Sequence, residues 1–164
     1  MRTYLLWLWF GLVLALQGCM HAAVQPIPTQ VKASELKQRY YQAKTIAPDG
    51  TVLAFTVYQP HLKVGQTAPL LLHTHGFGLS RMKRPSLSLY GFLLPTGQVA
   101  KKAWQNGYWV SYDQRGHGNS QGKIRLADPE KEAQDVISIM NWAEQNLPQL
   151  AKNQNGVRAG MIGE

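Results

Sequence analysis

Three short apolar segments alternate with two helix-like segments along the chain, and this alternation constrains the fold more than any other feature of the sequence. The apolar segments are residues 70–75, 108–112 and 157–162, each of strand length and each followed by a loop that contains glycine. The segments between them, residues 97–105 and 129–146, have helical spacing and helix-end signals. Strands that alternate with helices predict an α/β fold: a mostly parallel sheet with flanking helices and right-handed crossovers.

Each of the two predicted helices has a candidate capping residue at its start. For the helix over residues 129–146, Asp128 is the expected cap and Pro129 occupies the first helical position, where proline is tolerated. For the helix over residues 97–105, Thr96 is the expected cap. Both helices therefore have a defined start in the sequence.

A β-hairpin is predicted upstream of this alternating region. Residues 48–50 read Pro-Asp-Gly, a turn sequence in which proline presets φ and glycine accepts a positive φ. This turn joins predicted strands over residues 44–47 and 51–58. Residues 31–43 have only weak helical spacing, and we assign them to a short surface helix or to a tether.

The N-terminus carries a targeting signal. A positive charge precedes an apolar run over residues 4–16, which is too short for a transmembrane helix and is typical of a signal peptide. The sequence Leu-Gln-Gly-Cys at residues 16–19 resembles the lipobox of bacterial lipoproteins. The resemblance implies removal of residues 1–18, lipidation of Cys19, a tether over residues 19–43 and a place on the membrane of a bacterial cell envelope. An ordinary secretory signal that contains a cysteine is the alternative.

The basic balance of the chain does not by itself indicate a nucleic-acid partner. Lysine and arginine total 17 against 9 acidic residues, for a formal charge of +8. The positive charges are scattered, and only residues 81–84 (Arg-Met-Lys-Arg) form a tight run. We interpret them as a solvated surface and expect no nucleic acid among the partners. Cys19 is the only cysteine, so no intrachain disulfide can form.

Distinctive loops follow the three predicted parallel strands. Residues 75–78 read His-Gly-Phe-Gly, residues 113–120 read Asp-Gln-Arg-Gly-His-Gly-Asn-Ser, and residues 163–164 read Gly-Glu. The carboxyl ends of parallel strands meet at one edge of a sheet, which is where open α/β sheets carry their sites. We therefore expect these three loops to lie together.

In this order, the three loops resemble the N-terminal half of an α/β-hydrolase. HGFG resembles the oxyanion loop of that superfamily, DQRGHGNS resembles its D-x-R-G-x-G-x-S loop, and GMIGE resembles the strand that enters the nucleophile elbow. With the acidic helix EKEAQDVISIMNWA, the pattern is most similar to the Xaa-Pro dipeptidyl-peptidase-like hydrolases (peptidase S15, cocaine-esterase-like). The serine aminopeptidase and monoglyceride-lipase-like branch comes next. The resemblance covers about residues 44–164.

The resemblance implies a role for each loop. The backbone N–H of Phe77 would donate to the oxyanion of an acyl-transfer reaction. The residues that support this oxyanion loop would be His75, Gly76 and Gly78. The second loop would be chiefly structural, and its residues of interest are Asp113, Arg115, Gly116, Gly118 and Ser120. Gly163 and Glu164 would open the nucleophile elbow, so the α/β-hydrolase fold would be truncated there.

The activity implied by the resemblance is that of a serine hydrolase acting on a small ester, amide or peptide, without a metal or organic cofactor. The nucleophilic serine would follow Glu164 immediately, and the acid and the base histidine would come later in the chain. We therefore expect a fragment of an enzyme, inactive and poorly soluble alone. The alternatives are a non-catalytic lipid-anchored binding protein and a remnant of an inactive gene.

Two other enzyme classes have weaker support in the sequence. His73 and His75 would share one face of a strand, as metal ligands can, but no further cluster at ligand spacing follows them. We interpret His73 as a core residue and His117 as a loop residue near the site. The glycines at 116 and 118 begin a dinucleotide-binding pattern, but the next glycine comes one position too late.

Overall fold

The computed structural model describes residues 34–85, 95–125 and 128–163. Within them it has a five-stranded sheet, a separate two-stranded hairpin and two helices. The strands are β1 (Arg39–Ile46), β2 (Val52–Gln59), β3 (Leu70–Thr74), β4 (Tyr108–Tyr112), β5 (Lys152–Asn153), β6 (Gly156–Val157) and β7 (Ala159–Gly163), and the helices are α1 (Pro95–Asn106) and α2 (Pro129–Asn146). The predicted signal peptide, Cys19, the first part of the predicted tether and Glu164 lie outside the described residues.

The main sheet has the strand order β1-β2-β4-β3-β7. Strand β2 is antiparallel to both of its neighbours, whereas β4, β3 and β7 pair in parallel. Strand β2 is therefore the one strand of this described sheet that runs against the others. The prediction of a mostly parallel α/β sheet is confirmed.

The predicted hairpin is present, but its first strand is longer than expected. Gly50 has a positive φ of 83°, and its N–H donates to the Ala47 carbonyl at 2.9 Å, which closes the turn. Strand β1 begins at Arg39, so the assignment of residues 39–43 to a helix or tether was wrong. Each of these residues pairs with β2, beginning with Arg39 opposite Gln59. Pairing with a neighbouring strand outweighs weak helical spacing.

Both predicted helices are present, with one correction. Helix α2 spans Pro129–Asn146 as predicted, and the Asp128 side chain accepts the N–H of Lys131 at 3.2 Å. Helix α1 already begins at Pro95, so Thr96 is the second helical residue and not the cap. Proline suits the first turn, because its fixed φ is helical and the N–H that it lacks would have had no partner within the helix.

The helices cover opposite faces of the sheet, because successive strand residues point to opposite sides. In β4, Val110 packs in a core cluster with Ile139 of α2. Its neighbour Trp109 packs in a second cluster with Ala100 of α1. The fold therefore has three layers, with β3 and β4 buried between the helices.

Strand β7 differs from its prediction as a buried strand. Arg158 interrupts the predicted run, since Val157 pairs with Lys152 in the β5–β6 hairpin. Strand β7 pairs only with β3 among the described strands, and Met161 is 51% exposed. A hollow of about 420 Å³ separates Met161 from Val136 of α2. Apolar composition predicted the strand, but its burial depends on neighbours that the run itself does not reveal.

Among the described residues, no helix combines the length and apolar character needed to cross a membrane.

Candidate active site at the carboxyl edge of the sheet

The three predicted loops begin side by side at one edge of the sheet. Strand β3 ends at Thr74, which is in register with Tyr112 at the end of β4 and with Gly163 at the end of β7. Because these strands are parallel, the residues after Thr74, Tyr112 and Gly163 leave the sheet from the same edge. The structure thus brings the oxyanion-loop sequence and the second loop together, with the end of β7 beside them.

His75 holds the start of the oxyanion loop with both of its ring nitrogens. Its Nε2 accepts the backbone N–H of Gln114 at 3.2 Å, so the ring proton belongs on Nδ1. That Nδ1 lies 2.8 Å from the Gly76 carbonyl oxygen and donates to it. The His75 side chain is buried, and its ring is engaged in fixing the backbone around Gly76.

Gln114 is a site residue that the sequence analysis missed. Its Nε2 donates to Thr74 Oγ1 at 2.5 Å and to the His75 carbonyl at 3.2 Å. Together with its backbone contact to His75, these bonds join the loop after β4 to the end of β3. A glutamine inside a loop has no recognisable spacing, so no sequence signal pointed to this role.

Phe77 lies at the exposed tip of the oxyanion loop. The N–H of Leu79 donates to the Gly76 carbonyl at 3.1 Å, and Gly78 has a positive φ of 79°, which closes the loop into a tight turn. The Phe77 side chain is 71% exposed. Within the described part of the chain, no residue accepts a hydrogen bond from the Phe77 N–H. The tip therefore presents a backbone donor that has no partner among the described residues.

Asp113 is fully buried and organises the second loop. One carboxylate oxygen accepts the backbone N–H of Arg81 at 2.7 Å, and the other accepts the N–H of Asn119 at 2.8 Å and a guanidinium N–H of Arg81. The Asp113 carbonyl accepts the Ser120 hydroxyl at 2.7 Å, and the Ser120 oxygen accepts the Ala54 N–H at 2.9 Å. Asp113 and Ser120 are thus occupied by contacts that hold the loop in place.

Arg115 connects the second loop to two distant elements. Its guanidinium forms a bidentate pair with Asp135 of α2, at 2.8 and 2.5 Å, and contacts Asp49 in the hairpin turn at 2.7 Å. These carboxylates raise the pKa of Arg115 above its usual range. The hydrogen bond from Arg115, with others from Thr51, holds the pKa of the Asp49 carboxyl well below its usual value. Arg115 therefore fastens the loop to α2 and to the hairpin.

His117 packs between the two loops. Its ring meets the rings of His75 and Phe77 at centroid distances of 5.0 and 5.8 Å, edge to face in each case. His117 is 9% exposed, and its Nδ1 lies 3.3 Å from the Arg115 carbonyl. Its Nε2 is buried and has no hydrogen-bond partner among the described residues. His117 thus lies near the oxyanion loop, as the sequence analysis expected.

Two glycines of the second loop are required by close contacts. Gly118 has a positive φ of 54°, and a Cβ there would lie closer than 3.0 Å to the carboxyl group of Asp113. Gly116 has a positive φ of 79°, and a Cβ there would overlap the backbone nitrogen of Ile124. Any other residue at these positions would displace the buried carboxylate or the returning chain.

His73 lies in the core of the sheet, within β3, as the sequence predicted. Its Nδ1 is 2.9 Å from Ser111 Oγ, and its ring stacks on Trp109 with centroids 5.0 Å apart. Among residues 34–85, 95–125 and 128–163, no group of three or more potential metal ligands is close enough to hold a metal ion.

Comparison with known proteins agrees with this architecture. Residues 49–164 of the chain match the family model described as X-Pro dipeptidyl-peptidase (S15 family). Comparison with curated protein sequences gives no match.

Solved structures share the fold at low sequence identity. A hypothetical protein from Pseudomonas aeruginosa is 21% identical with a TM-score of 0.55, and 77% of this chain aligns with 35% of that one. The α/β hydrolase GrgF from a Penicillium species is 19% identical with a TM-score of 0.55, covering 76% of this chain and 37% of that one. An esterase from Pyrococcus furiosus is 21% identical with a TM-score of 0.53, covering 77% and 40%.

The chain therefore spans well under half the length of these solved structures. The strand order, the edge loops and the family match agree with one another, since the match begins at Asp49 in the hairpin turn and includes all three edge loops. The chain belongs to the X-Pro dipeptidyl-peptidase (S15) family and has the N-terminal part of an α/β-hydrolase fold.

Proposed function

We propose that the whole protein hydrolyses ester or peptide bonds through an acyl-serine intermediate, with the Phe77 N–H as one donor of the oxyanion hole. In this proposal the nucleophilic serine directly follows Glu164. Its oxygen attacks the substrate carbonyl carbon, the alcohol or amine leaves with a proton, and water then releases the acid and restores the serine. Membership of the S15 family supports this reaction class.

The observation that carries the proposal is the Phe77 N–H, which lies on a fixed loop and has no partner among the described residues. The loop follows β3, and the proposed nucleophile would follow β7, the strand paired with β3. Donor and nucleophile would therefore come from adjacent strands at the same edge. Loss of one such donor lowers kcat by about 10²–10³-fold in enzymes of this chemical type.

The histidines beside the loop support placing the general base elsewhere in the protein. His75 uses Nε2 as an acceptor and Nδ1 as a donor within the loop, so neither nitrogen is available to take a proton from a serine. The ring nitrogen Nε2 of His117 is buried under its neighbours. The proposal accordingly assigns the acid and base to residues beyond the proposed serine, in the order Ser, Asp or Glu, His.

Kinetics with a chromogenic ester and a chromogenic dipeptide test the proposal. The protein is expressed from its complete reading frame and assayed with p-nitrophenyl butyrate and with Ala-Pro-p-nitroanilide. We expect hydrolysis of at least one of them, with a burst of one product per active site where deacylation is slow. A variant with alanine at the position after Glu164 is the control and should lose the burst. Hydrolysis that survives in this variant, or no hydrolysis of either compound, would contradict the proposal.

We also propose that the protein is anchored to a bacterial membrane through lipid on Cys19, because residues 16–19 resemble the lipobox of bacterial lipoproteins. Stable anchoring requires more than one acyl chain, which a diacylated N-terminal cysteine supplies. Metabolic labelling with radioactive palmitate is expected to mark the protein and to place it in the membrane fraction. The Cys19→Ala variant should lose both signals. A variant that stays labelled and membrane-bound would contradict lipidation at this residue.

A further inference from the structure

Arg81 is the first residue of the tight basic run over residues 81–84, yet it is buried. Its side chain is 2% exposed. The guanidinium pairs with Asp113, and its other nitrogen contacts reach Asn119 and Gln42 at 3.2 Å and Thr56 at 3.3 Å. The positive charge at position 81 is therefore used inside the protein, in contrast to the exposed Lys83 and Arg84.

The backbone around Arg81 is held as firmly as its side chain. The Arg81 N–H donates to Asp113 at 2.7 Å, and the next N–H, from Met82, donates to Ser111 Oγ at 2.9 Å. The Met82 carbonyl accepts the hydroxyl of Tyr58 at 2.9 Å. The two residues are thus bonded to strands β2 and β4 and to the loop after β4.

These contacts fix the point where the chain leaves the oxyanion loop. The entrance of the loop is held by His75, through Gln114, and only five residues, 76–80, lie between His75 and the Arg81 anchor. The hydrogen bond from Leu79 to Gly76 closes the turn between the two anchors. The direction of the Phe77 N–H therefore depends on both ends of this short segment.

We propose that Arg81 is a positioning residue for the reaction: its pairing with Asp113 holds the exit of the oxyanion loop and thereby aims the Phe77 N–H. This inference rests on the proposed function, because the Phe77 N–H matters for catalysis only if the oxyanion forms there. Arg81 touches no reacting atom in this account. Its effect reaches the reaction through the backbone of residues 76–80.

A matched pair of isosteric substitutions separates positioning from general stabilisation. Asp113 and Asp135 are both buried carboxylates paired with an arginine, but only Asp113 bonds to the exit of the oxyanion loop. In Asp113→Asn, an amide NH₂ replaces one acceptor and faces an N–H of Arg81 or Asn119. In Asp135→Asn, the NH₂ likewise faces the guanidinium of Arg115. Both variants lose a comparable buried pair.

The full-length variants are compared by steady-state kinetics and by hydrogen exchange of the Leu79 amide, whose bond to Gly76 closes the loop. We expect Asp113→Asn to lower kcat about tenfold to a hundredfold with KM changed by less than about threefold, because a displaced donor weakens mainly transition-state binding. We expect exchange of the Leu79 amide to rise about tenfold, since the bond that closes the loop opens more often. Asp135→Asn should change both quantities clearly less than Asp113→Asn does, because Asp135 acts on the oxyanion loop indirectly, through Arg115 and its neighbour Gln114.

Two arginine variants address the case in which Asp113→Asn fails to fold. Arg81→Lys keeps a charge opposite Asp113, whereas Arg81→Met removes it and keeps a similar length. We expect Arg81→Lys to recover part of the kcat and of the exchange protection that Arg81→Met loses.

Equal effects of Asp113→Asn and Asp135→Asn on kcat and on exchange would overturn the positioning role, as would normal exchange of the Leu79 amide in Arg81→Met. If the wild-type protein hydrolyses no substrate, the proposed function fails. The exchange comparison then still decides whether Arg81 holds the loop.

Discussion

Replacement of Gly118 by alanine tests the arrangement around the buried Asp113 carboxylate. Gly118 has a positive φ of 54°, which costs an alanine about 1 kcal/mol. The added Cβ would overlap the carboxyl group of Asp113, which cannot retreat without weakening its bonds to Arg81 and Asn119. Loss of a hydrogen bond to a charged group costs about 2–3 kcal/mol. We therefore expect Gly118→Ala to lower the free energy of unfolding by about 3–4 kcal/mol.

Gly65 offers a matched control for the backbone contribution. Its φ is +81°, and a Cβ at this position would meet no atom within 4 Å. Gly65→Ala should therefore cost only the backbone strain of about 1 kcal/mol. The difference between the two variants isolates the steric contact with Asp113.

Urea unfolding of the full-length variants, followed by circular dichroism, measures this difference. We expect Gly118→Ala to be less stable than Gly65→Ala by about 2–3 kcal/mol, with similar denaturant slopes. Equal costs, within about 0.5 kcal/mol, would refute the placement of the Asp113 carboxylate against Gly118.

Three further predictions follow from single contacts. Because the hydrogen bond from Arg115 lowers the pKa of Asp49, this carboxylate stabilises the fold above about pH 4 and stabilises it less as the pH falls below that value. Asp49→Asn should therefore flatten the pH dependence of the free energy of unfolding measured in urea, and unchanged acid sensitivity would count against the contact. Ser120→Ala should cost about 1–3 kcal/mol in the same assay, since it leaves the Ala54 N–H without its acceptor, and a cost below about 0.5 kcal/mol would be inconsistent with that bond. Phe77→Ala should leave the free energy of unfolding within about 0.5 kcal/mol of wild type, because the ring is 71% exposed; a clear loss of stability would mean that the ring is packed.

The parts of the fold that depend on local patterns could be predicted from the sequence. Strand β4 and helix α2 have the predicted bounds, because an apolar run of strand length and a capped amphipathic segment are local signals. The position of the three loops at one edge of the sheet could also be predicted, since parallel strands share a direction. The start of β1 could not be predicted, because residues 39–43 become strand only by pairing with β2.

The contacts that fix the loops could not be predicted either, because they join residues far apart in sequence. Arg81 stood out only as part of a basic run, and nothing in that run distinguishes the buried arginine from its exposed neighbours. Gln42, which accepts from Arg81, lies on a strand that was not predicted at that position. The exposure of β7 was likewise missed, since the same apolar run suits a central or an edge strand.

Mass spectrometry of the protein labelled with a fluorophosphonate tests the central claim most directly, because this reagent forms a covalent adduct with activated serines. The full-length protein is labelled, digested and sequenced to find the modified residue. The account predicts a single adduct on a serine that immediately follows Gly163-Glu164, lost when that serine is replaced by alanine. An adduct at another serine, or no adduct in a protein that hydrolyses esters or peptides, would contradict the account.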